Sequence, residues 1–273
     1  MDEAGSPVAD LTAQELEVRL GTRALRINGL TRFHDAPIRI VIVFDESSSM
    51  AANWRAALRI VSELLHSLPP NSNVALVGVN SGTPELIETP GAIARYLHNR
   101  SRRGAGGWTK LWDLMHIALL ALPHPRPTDV IFVVSDGVDT ASKLSFHELQ
   151  REVHAARVRV SGAILVDMLA ATPATRIVSP ELADLMRETG GWNLTVSPFL
   201  RRRERGGRFE RSHVESPNLP GFLTTLFDFY YVDVPPEAVA SQPGPLAVRA
   251  LGVRKDHERV LLSAPQHLPT AAP

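Results

Sequence analysis

Cysteine is absent from the 273 residues, which removes disulfides, thiol catalysis and zinc-thiolate sites together and leaves the redox compartment open. An excess of either charge is missing too. Lys+Arg and Asp+Glu both number 29, so no global field draws nucleic acid or an anionic membrane. No apolar run approaches the roughly 18 residues of a membrane-spanning helix. No two of the ten histidines stand at His-x-x-x-His spacing, so zinc-hydrolase chemistry has no ligand pair. There is no Gly-x-Ser-x-Gly elbow and no Walker A pattern, and the GAGGWTK stretch lacks the Gly-Lys-Ser/Thr order of a phosphate cradle. The opening MDEAGSPVAD is acidic and polar where a signal peptide needs a basic start and an apolar stretch. No internal repeat is visible.

What is present is an ordinary globular composition, 44% hydrophobic and 21% charged, long enough for one substantial core and an appendage. The most telling stretch is Ile38 to Met50, IRIVIVFDESSSM. Its apolar run reads as a strand buried on both faces, and Asp45 then falls at the carboxyl end, where open α/β sheets place their ligand sites. Asp45, Ser47 and Ser49 form Asp-x-Ser-x-Ser. That pattern offers hard oxygen donors from one tight loop and suits a small cation such as Mg²⁺, with Mn²⁺ as the substitute.

The rest of the chain alternates strands and helices. Apolar residues recur at helical spacing from Asn53 to Leu68 before Pro69-Pro70, and a strand follows over Asn73 to Val79. A short helix is expected over Thr89 to Asn99. The Gly-rich loop Ser101 to Trp108 then delivers Thr109 to the start of an apolar helix, TKLWDLMHIALLAL. Further elements are a strand Asp129 to Ser135, a helix Ser145 to Ala156, a strand Arg157 to Leu165, a helix Ser179 to Thr189, a short strand Trp192 to Val196 and a last helix Leu219 to Phe227. This rhythm predicts right-handed crossovers and a doubly wound, Rossmann-like α/β fold with a mostly parallel sheet flanked by helices.

The two ends differ in kind. Residues 6–34 carry a turn signal, the helical stretch LTAQEL and two strands, while 229–264 is Pro-punctuated with strands in FYYVDV, LAVRALGV and RVLLS. The expected organisation is an N-terminal β segment over 1–36, the α/β domain over 37–228, and a C-terminal β segment and tail over 229–273, the ends forming one β appendage. The run Arg201 to Arg208, RRRERGGR, reads as a solvated loop, because no aromatic platform accompanies it.

Loops after different strands of such a sheet meet at one rim, so Asp45, Ser47, Ser49, Thr109 and Asp136 can share a site. Each alone has a plainer reading. Asp and Ser after a strand are common helix caps, Thr109 can be an N-cap, and Asp136-Gly137 can be a turn. Glu46 and Asp139 read as solvated or turn acids, and His116 as a core histidine. Trp108 could touch a partner, although a packed tryptophan is the commoner state.

In order and surroundings these residues resemble the von Willebrand factor type A domain, with its metal-ion-dependent adhesion site. Gly106-Gly107 precede Thr109, Leu111 and Asp113 follow it, and VVSDG surrounds Asp136. The flanking DEAGSPVADLTAQELEV, TGGWNLTV and FYYVDVPP are similar to a bacterial VWFA-related variety. The middle of the first motif carries Ser48 where the family usually has glycine. The resemblance implies Ser47, Ser49 and Thr109 as direct ligands of the cation and Asp45 and Asp136 acting largely through water. It further implies a non-enzymatic protein-binding module whose partner supplies an Asp or Glu carboxylate, with no nucleic acid and no membrane span. One alternative is a haloacid-dehalogenase-type phosphotransferase, echoed by Asp45 and by Ser135, Asp136 and Asp139. That chemistry needs a second carboxylate two residues after the nucleophile, where Ser47 stands. The other is a fold that has lost its ligand. The resemblance also implies an extracytoplasmic location, secreted or periplasmic, so a signal peptide and a first strand are expected upstream of Met1.

Overall fold

Six consecutive residues of one strand, Arg39–Phe44, are apolar after the first, and both faces of that strand are covered. A computed structural model describes residues 7–35, 37–80, 83–126, 128–166, 179–196, 200–201, 210–211, 219–235 and 245–251. In chain order the strands are β1 (Leu16–Leu20), β2 (Arg23–Leu25), β3 (Gly29–Phe33), β4 (Arg39–Phe44), β5 (Asn73–Asn80), β6 (Thr83–Glu88), β7 (Val130–Ser135), β8 (Arg159–Leu165), β9 (Asn193–Val196), β10 (Leu200–Arg201), β11 (Glu210–Arg211), β12 (Phe229–Asp233) and β13 (Leu246–Ala250). The α-helices are α1 (Trp54–Ser67), α2 (Pro90–Arg103), α3 (Leu111–Leu120), α4 (Phe146–Ala156), α5 (Pro180–Glu188) and α6 (Leu219–Thr224).

The main sheet runs β6-β5-β4-β7-β8-β9, parallel throughout except for β6. From β4 the chain builds outward through β5 and β6, then returns to lay β7 on the other side of β4. The strand order therefore reverses between β4 and β7, and their two following loops diverge to opposite sides of a crevice. Ile40, Ile42 and Phe44 face Ile60 and Leu64 of α1, Ile93 of α2 and Phe222 of α6. Val41 and Val43 face Leu111 and Met115 of α3, Leu149 of α4 and Met186 of α5. Two covered faces account for the lack of polar alternation in β4 and β7.

Three expectations about the main sheet and its helices change. A strand not foreseen, β6, pairs antiparallel with β5 at the sheet edge. Its sequence TPELIE carries a proline and two acids, tolerated there because an edge strand needs partners on one side only. Helix α2 runs on to Arg103, four residues past the expected end. Pro90 opens it, the Thr89 hydroxyl caps it, and Arg100, Arg102 and Arg103 suit the negative end of its dipole. Helix α3 starts at Leu111 rather than Thr109, and no side chain caps it.

The terminal segments meet. Residues 6–34 supply three strands rather than two. β1 pairs with β2 and β13, and β3 with β12, all antiparallel. Phe33 stacks on Phe229 at 5.4 Å, Arg32 binds the buried Asp228 at 2.5 Å, and the Arg159 guanidinium lies 4.6 Å over the Phe229 ring. The first two contacts join β3 to β12, and the Arg159 contact fastens β12 to the end of the main sheet far from Asp45. The RVLLS segment, and the Arg201 to Arg208 run beyond its first residue, lie outside the described residues. Among those described, no helix is long and apolar enough to cross a membrane.

Candidate functional site

Asp45 continues β4 by one residue, its N–H donating to the Val134 carbonyl of β7 at 3.0 Å, so the carboxylate is delivered by the sheet itself. It is 2% exposed. One carboxylate oxygen accepts the Ser47 N–H at 2.9 Å and the other accepts the Ser135 hydroxyl at 2.6 Å. The Ser135 oxygen in turn accepts the Gly137 N–H at 2.9 Å, which ties the loop after β7 to the loop after β4. The Ser47 and Ser49 hydroxyl oxygens stand 2.9 Å apart. Neither the turn after Ser47 nor α3 takes a side-chain cap, so Ser47 and Thr109 are not spent as caps.

The Gly-rich loop is stitched onto the first loop through backbone groups. The Gly106 N–H donates to the Glu46 carbonyl at 2.7 Å, and the Ser48 N–H donates to the Gly107 carbonyl at 3.1 Å. The Ser48 hydroxyl also accepts the Gly107 N–H at 3.1 Å, so the serine in the glycine position of the motif acts as a latch. Gly107 has φ +100°, a conformation open to glycine. On the third side the Thr109 carbonyl accepts the N–H groups of Thr140 and Ala141, at 3.1 and 2.9 Å. Asp136 is half-buried, its carboxylate accepting the Val138 N–H at 3.0 Å across the Gly137 turn. The loops that carry the five sequence-selected residues thus meet at the switch point, where Ser47, Ser49, Thr109, Thr140, Trp108 and Val138 line a cleft of about 330 Å³, with neither Asp45 nor Asp136 in its lining.

The electrostatics are those of a site lacking positive charge. Burial pushes the Asp45 carboxyl up to about 6, because its donors are neutral and Asp136 opposes its ionisation. Among the described residues no three His, Asp or Glu side chains cluster, so a cation would meet hydroxyls and water first. A buried carboxylate without a counter-charge, beside hydroxyls free of capping duty, fits a small hard divalent cation. A pH dependence follows for the metal-free protein. The folded value lies above the unfolded one, so the contribution is full below about pH 4 and is lost as pH rises through about 6, amounting to up to roughly 3 kcal/mol. In EDTA, stability measured from pH 4 to 7 should fall more steeply for the parent than for Asp45→Asn. Parallel curves would show that Asp45 is not desolvated.

Several residues around the site take places that the sequence did not assign to them. Ser135 holds Asp45 but looks like any strand-end serine. Glu46, expected to be a solvated or turn acid, is buried. It pairs with Arg100 of α2 at 2.7 Å, accepts the Tyr96 hydroxyl and lies 3.3 Å from the Val79 N–H. A Cβ at Gly78 would lie 2.9 Å from Glu46 and 2.3 Å from the Tyr96 hydroxyl, so that approach requires glycine. Asp139 is a turn residue that accepts the Ser142 hydroxyl at 2.6 Å. Asp113 accepts the N–H groups of Lys143 and Leu144 and so braces the same loop. His116 is not in the core: it meets Glu152 of α4 at 2.6 Å on a half-exposed face. Trp108 is 80% exposed, against the packed state expected for tryptophan.

The model of the von Willebrand factor type A domain family matches residues 40–138, a span that includes Asp45, Ser47, Ser49, Thr109 and Asp136. No curated protein matches the chain in sequence. Among solved structures, proximal thread matrix protein 1 from the mussel byssus is similar over 76% of this chain, with 14% identity and a TM-score of 0.52. The aligned part spans 50% of that protein's length, and the likeness is one of fold. Manganese-loaded TRAP from Plasmodium vivax aligns with 88% of this chain and 98% of its own, at 13% identity and a TM-score of 0.41. The SpRpn10 VWA domain aligns with 60% of this chain and 90% of its own, at 15% identity and a TM-score of 0.41. With the ordered Asp-x-Ser-x-Ser, Thr and Asp elements on one rim of a doubly wound sheet, and the family match across them, the protein carries a von Willebrand factor type A domain.

Proposed function

We propose that the protein is a non-enzymatic interaction module that holds Mg²⁺ or Mn²⁺ at the β4/β7 switch point and binds a partner protein through an Asp or Glu carboxylate. Ser47, Ser49 and Thr109 would hold the ion directly, with Asp45 and Asp136 acting largely through water. When bound, the cation supplies a Lewis-acid position that an incoming carboxylate can occupy. The chain's own residues do the rest. Ser135 and the Ser47 amide orient Asp45, the Ser48 latch fixes the Gly-rich loop, and Thr140 with Ala141 fixes Thr109. The observation that carries the reading is the buried Asp45 carboxylate, whose hydrogen-bond donors are neutral, beneath uncapped hydroxyls. The unit proposed to interact is residues 37–228, with the terminal strands as its support.

Thermal unfolding tests this directly. A cation at ten times its dissociation constant stabilises by about 1.4 kcal/mol, which is a rise of roughly 3 to 6 °C over EDTA for a domain of this size. Asp45→Asn and Thr109→Ala should lose the rise. In EDTA, Asp45→Asn should melt no lower than the parent, since it removes a buried charge. An unchanged melting temperature for the parent in Mg²⁺ and in Mn²⁺ would overturn the proposal.

A further inference from the structure

The cleft over the proposed ion site has two kinds of wall. One is hydroxylic, from Ser47, Ser49, Thr109 and Thr140, and the other is apolar, from Trp108 and Val138. Trp108 is 80% and Val138 41% exposed. Single exposed hydrophobics are normal on a protein surface, but two that line the same small cleft are not scattered. Nor is the indole carried by a loose loop. The residue before it is latched to Ser48 through its N–H and carbonyl, and the carbonyl of the residue after it accepts two N–H groups from Thr140 and Ala141. An exposed aromatic on a backbone held from both sides costs little further ordering when it is covered, which is the physical requirement of an interface anchor. None of the side chains lining the cleft is charged. A second acid beside the ligand carboxylate would therefore find no counter-charge there.

From this we infer that the segment recognised is a short linear stretch of a partner protein in which an Asp or Glu is immediately flanked by a bulky apolar side chain, the carboxylate going to the ion site and the apolar group between Trp108 and Val138. The inference rests on the carboxylate-accepting reading of the site and adds the chemistry of the neighbouring residue. A cleft of about 330 Å³ is at the small end of ligand pockets, room for two adjacent side chains rather than a folded surface. The apolar wall also supplies selectivity. Any exposed acid could reach the ion position, whereas only an acid with a large apolar neighbour covers the indole.

The test is to pan a random peptide library displayed on phage against the immobilised full chain in millimolar MgCl₂, with elution by EDTA. The thermal shift with Mg²⁺ is measured alongside for the parent, Trp108→Ala and Val138→Ser. Eluted peptides are expected to share an Asp or Glu beside Trp, Phe, Leu, Ile or Met. Synthetic copies should bind Trp108→Ala about tenfold or more weakly, with a smaller loss for Val138→Ser. Both variants should keep the parent's Mg²⁺ shift, since neither side chain is a ligand. Enriched peptides whose acids have no apolar neighbour, equal binding to Trp108→Ala, or no EDTA-eluted peptide at all while the Mg²⁺ shift is present would each overturn the inference and leave the ion site standing. If the parent shows no Mg²⁺ shift, the carboxylate-accepting reading fails first and this inference falls with it.

Discussion

Arg100→Ala is expected to lower the melting temperature by roughly 10 °C and to weaken the proposed cation binding severalfold, although Arg100 lies outside the proposed ligand set. The Glu46 side chain is 5% accessible and Arg100 14%, and they meet at 2.7 Å. Removing the arginine strands a buried carboxylate, which costs about 3 kcal/mol or more, and a domain of this size loses roughly 2 to 4 °C per kcal/mol. The Tyr96 hydroxyl and the Val79 N–H remain, but both are neutral. The effect reaches the site because Glu46 sits between Asp45 and Ser47, and because its carbonyl holds the Gly106 N–H of the loop that carries Thr109. Melting curves for Arg100→Ala, Glu46→Leu and the double variant Glu46→Leu/Arg100→Met separate the contributions. The double variant should recover much of the loss, since replacing both members of a buried pair by apolar groups is often neutral. An Arg100→Ala protein that melts within a degree of the parent would show that the pair is solvated.

Phe132→Ala should destabilise as much or more, by about 3 to 5 kcal/mol, yet leave the cation titration midpoint where it was. Phe132 is fully buried in the second central strand, with its ring 6.3 Å from Phe222 of α6. Its neighbours in the sheet are Ile42 and Ser161. Truncation leaves a cavity between sheet and helix that rigid strands cannot close. Ser135 and Asp45 keep their sheet positions, because the backbone ladder between β4 and β7 does not involve the lost ring. Chemical denaturation gives the stability, and a Mg²⁺ titration followed by thermal shift gives the midpoint. Together with Arg100→Ala this separates two ways of losing stability. One empties the core and spares the site, while the other loosens the loops that form the site. A moved midpoint for Phe132→Ala would mean that the rim is held by core packing and not by its own hydrogen bonds.

The exposed Trp108 shows how a strong local prior can be overridden. Tryptophan usually packs, but here the three residues before it are Ala and two glycines, and both neighbouring backbone positions are tied down by Ser48, Thr140 and Ala141. With its backbone fixed at the rim, the indole has no core within reach. Ser48 shows the same principle in reverse. Where the family usually places a glycine, the hydroxyl makes a hydrogen bond to the facing loop that no glycine could make.

By itself the order of residues determined the buried strands and the alternation that builds the sheet. Continuous apolar runs such as IRIVIVF and VIFVV have no place except between two covered faces. It also singled out Asp45, Ser47, Ser49, Thr109 and Asp136 as candidate oxygen donors, because each sits at a strand end or before a helix, where local signals are strongest. Only the tertiary structure decided β6, whose proline and acids are those of a loop until an edge position makes them tolerable. The same is true of the extra turn of α2, since the basic residues that close it gain from the helix end and from Glu46. Ser135 on Asp45, Ser48 on Gly107 and Arg100 on Glu46 join residues 54 to 90 positions apart. Local propensity carries no information about such pairs. They exist because the chain leaves β4 on one side and comes back as β7 on the other, which brings three distant loops to one rim.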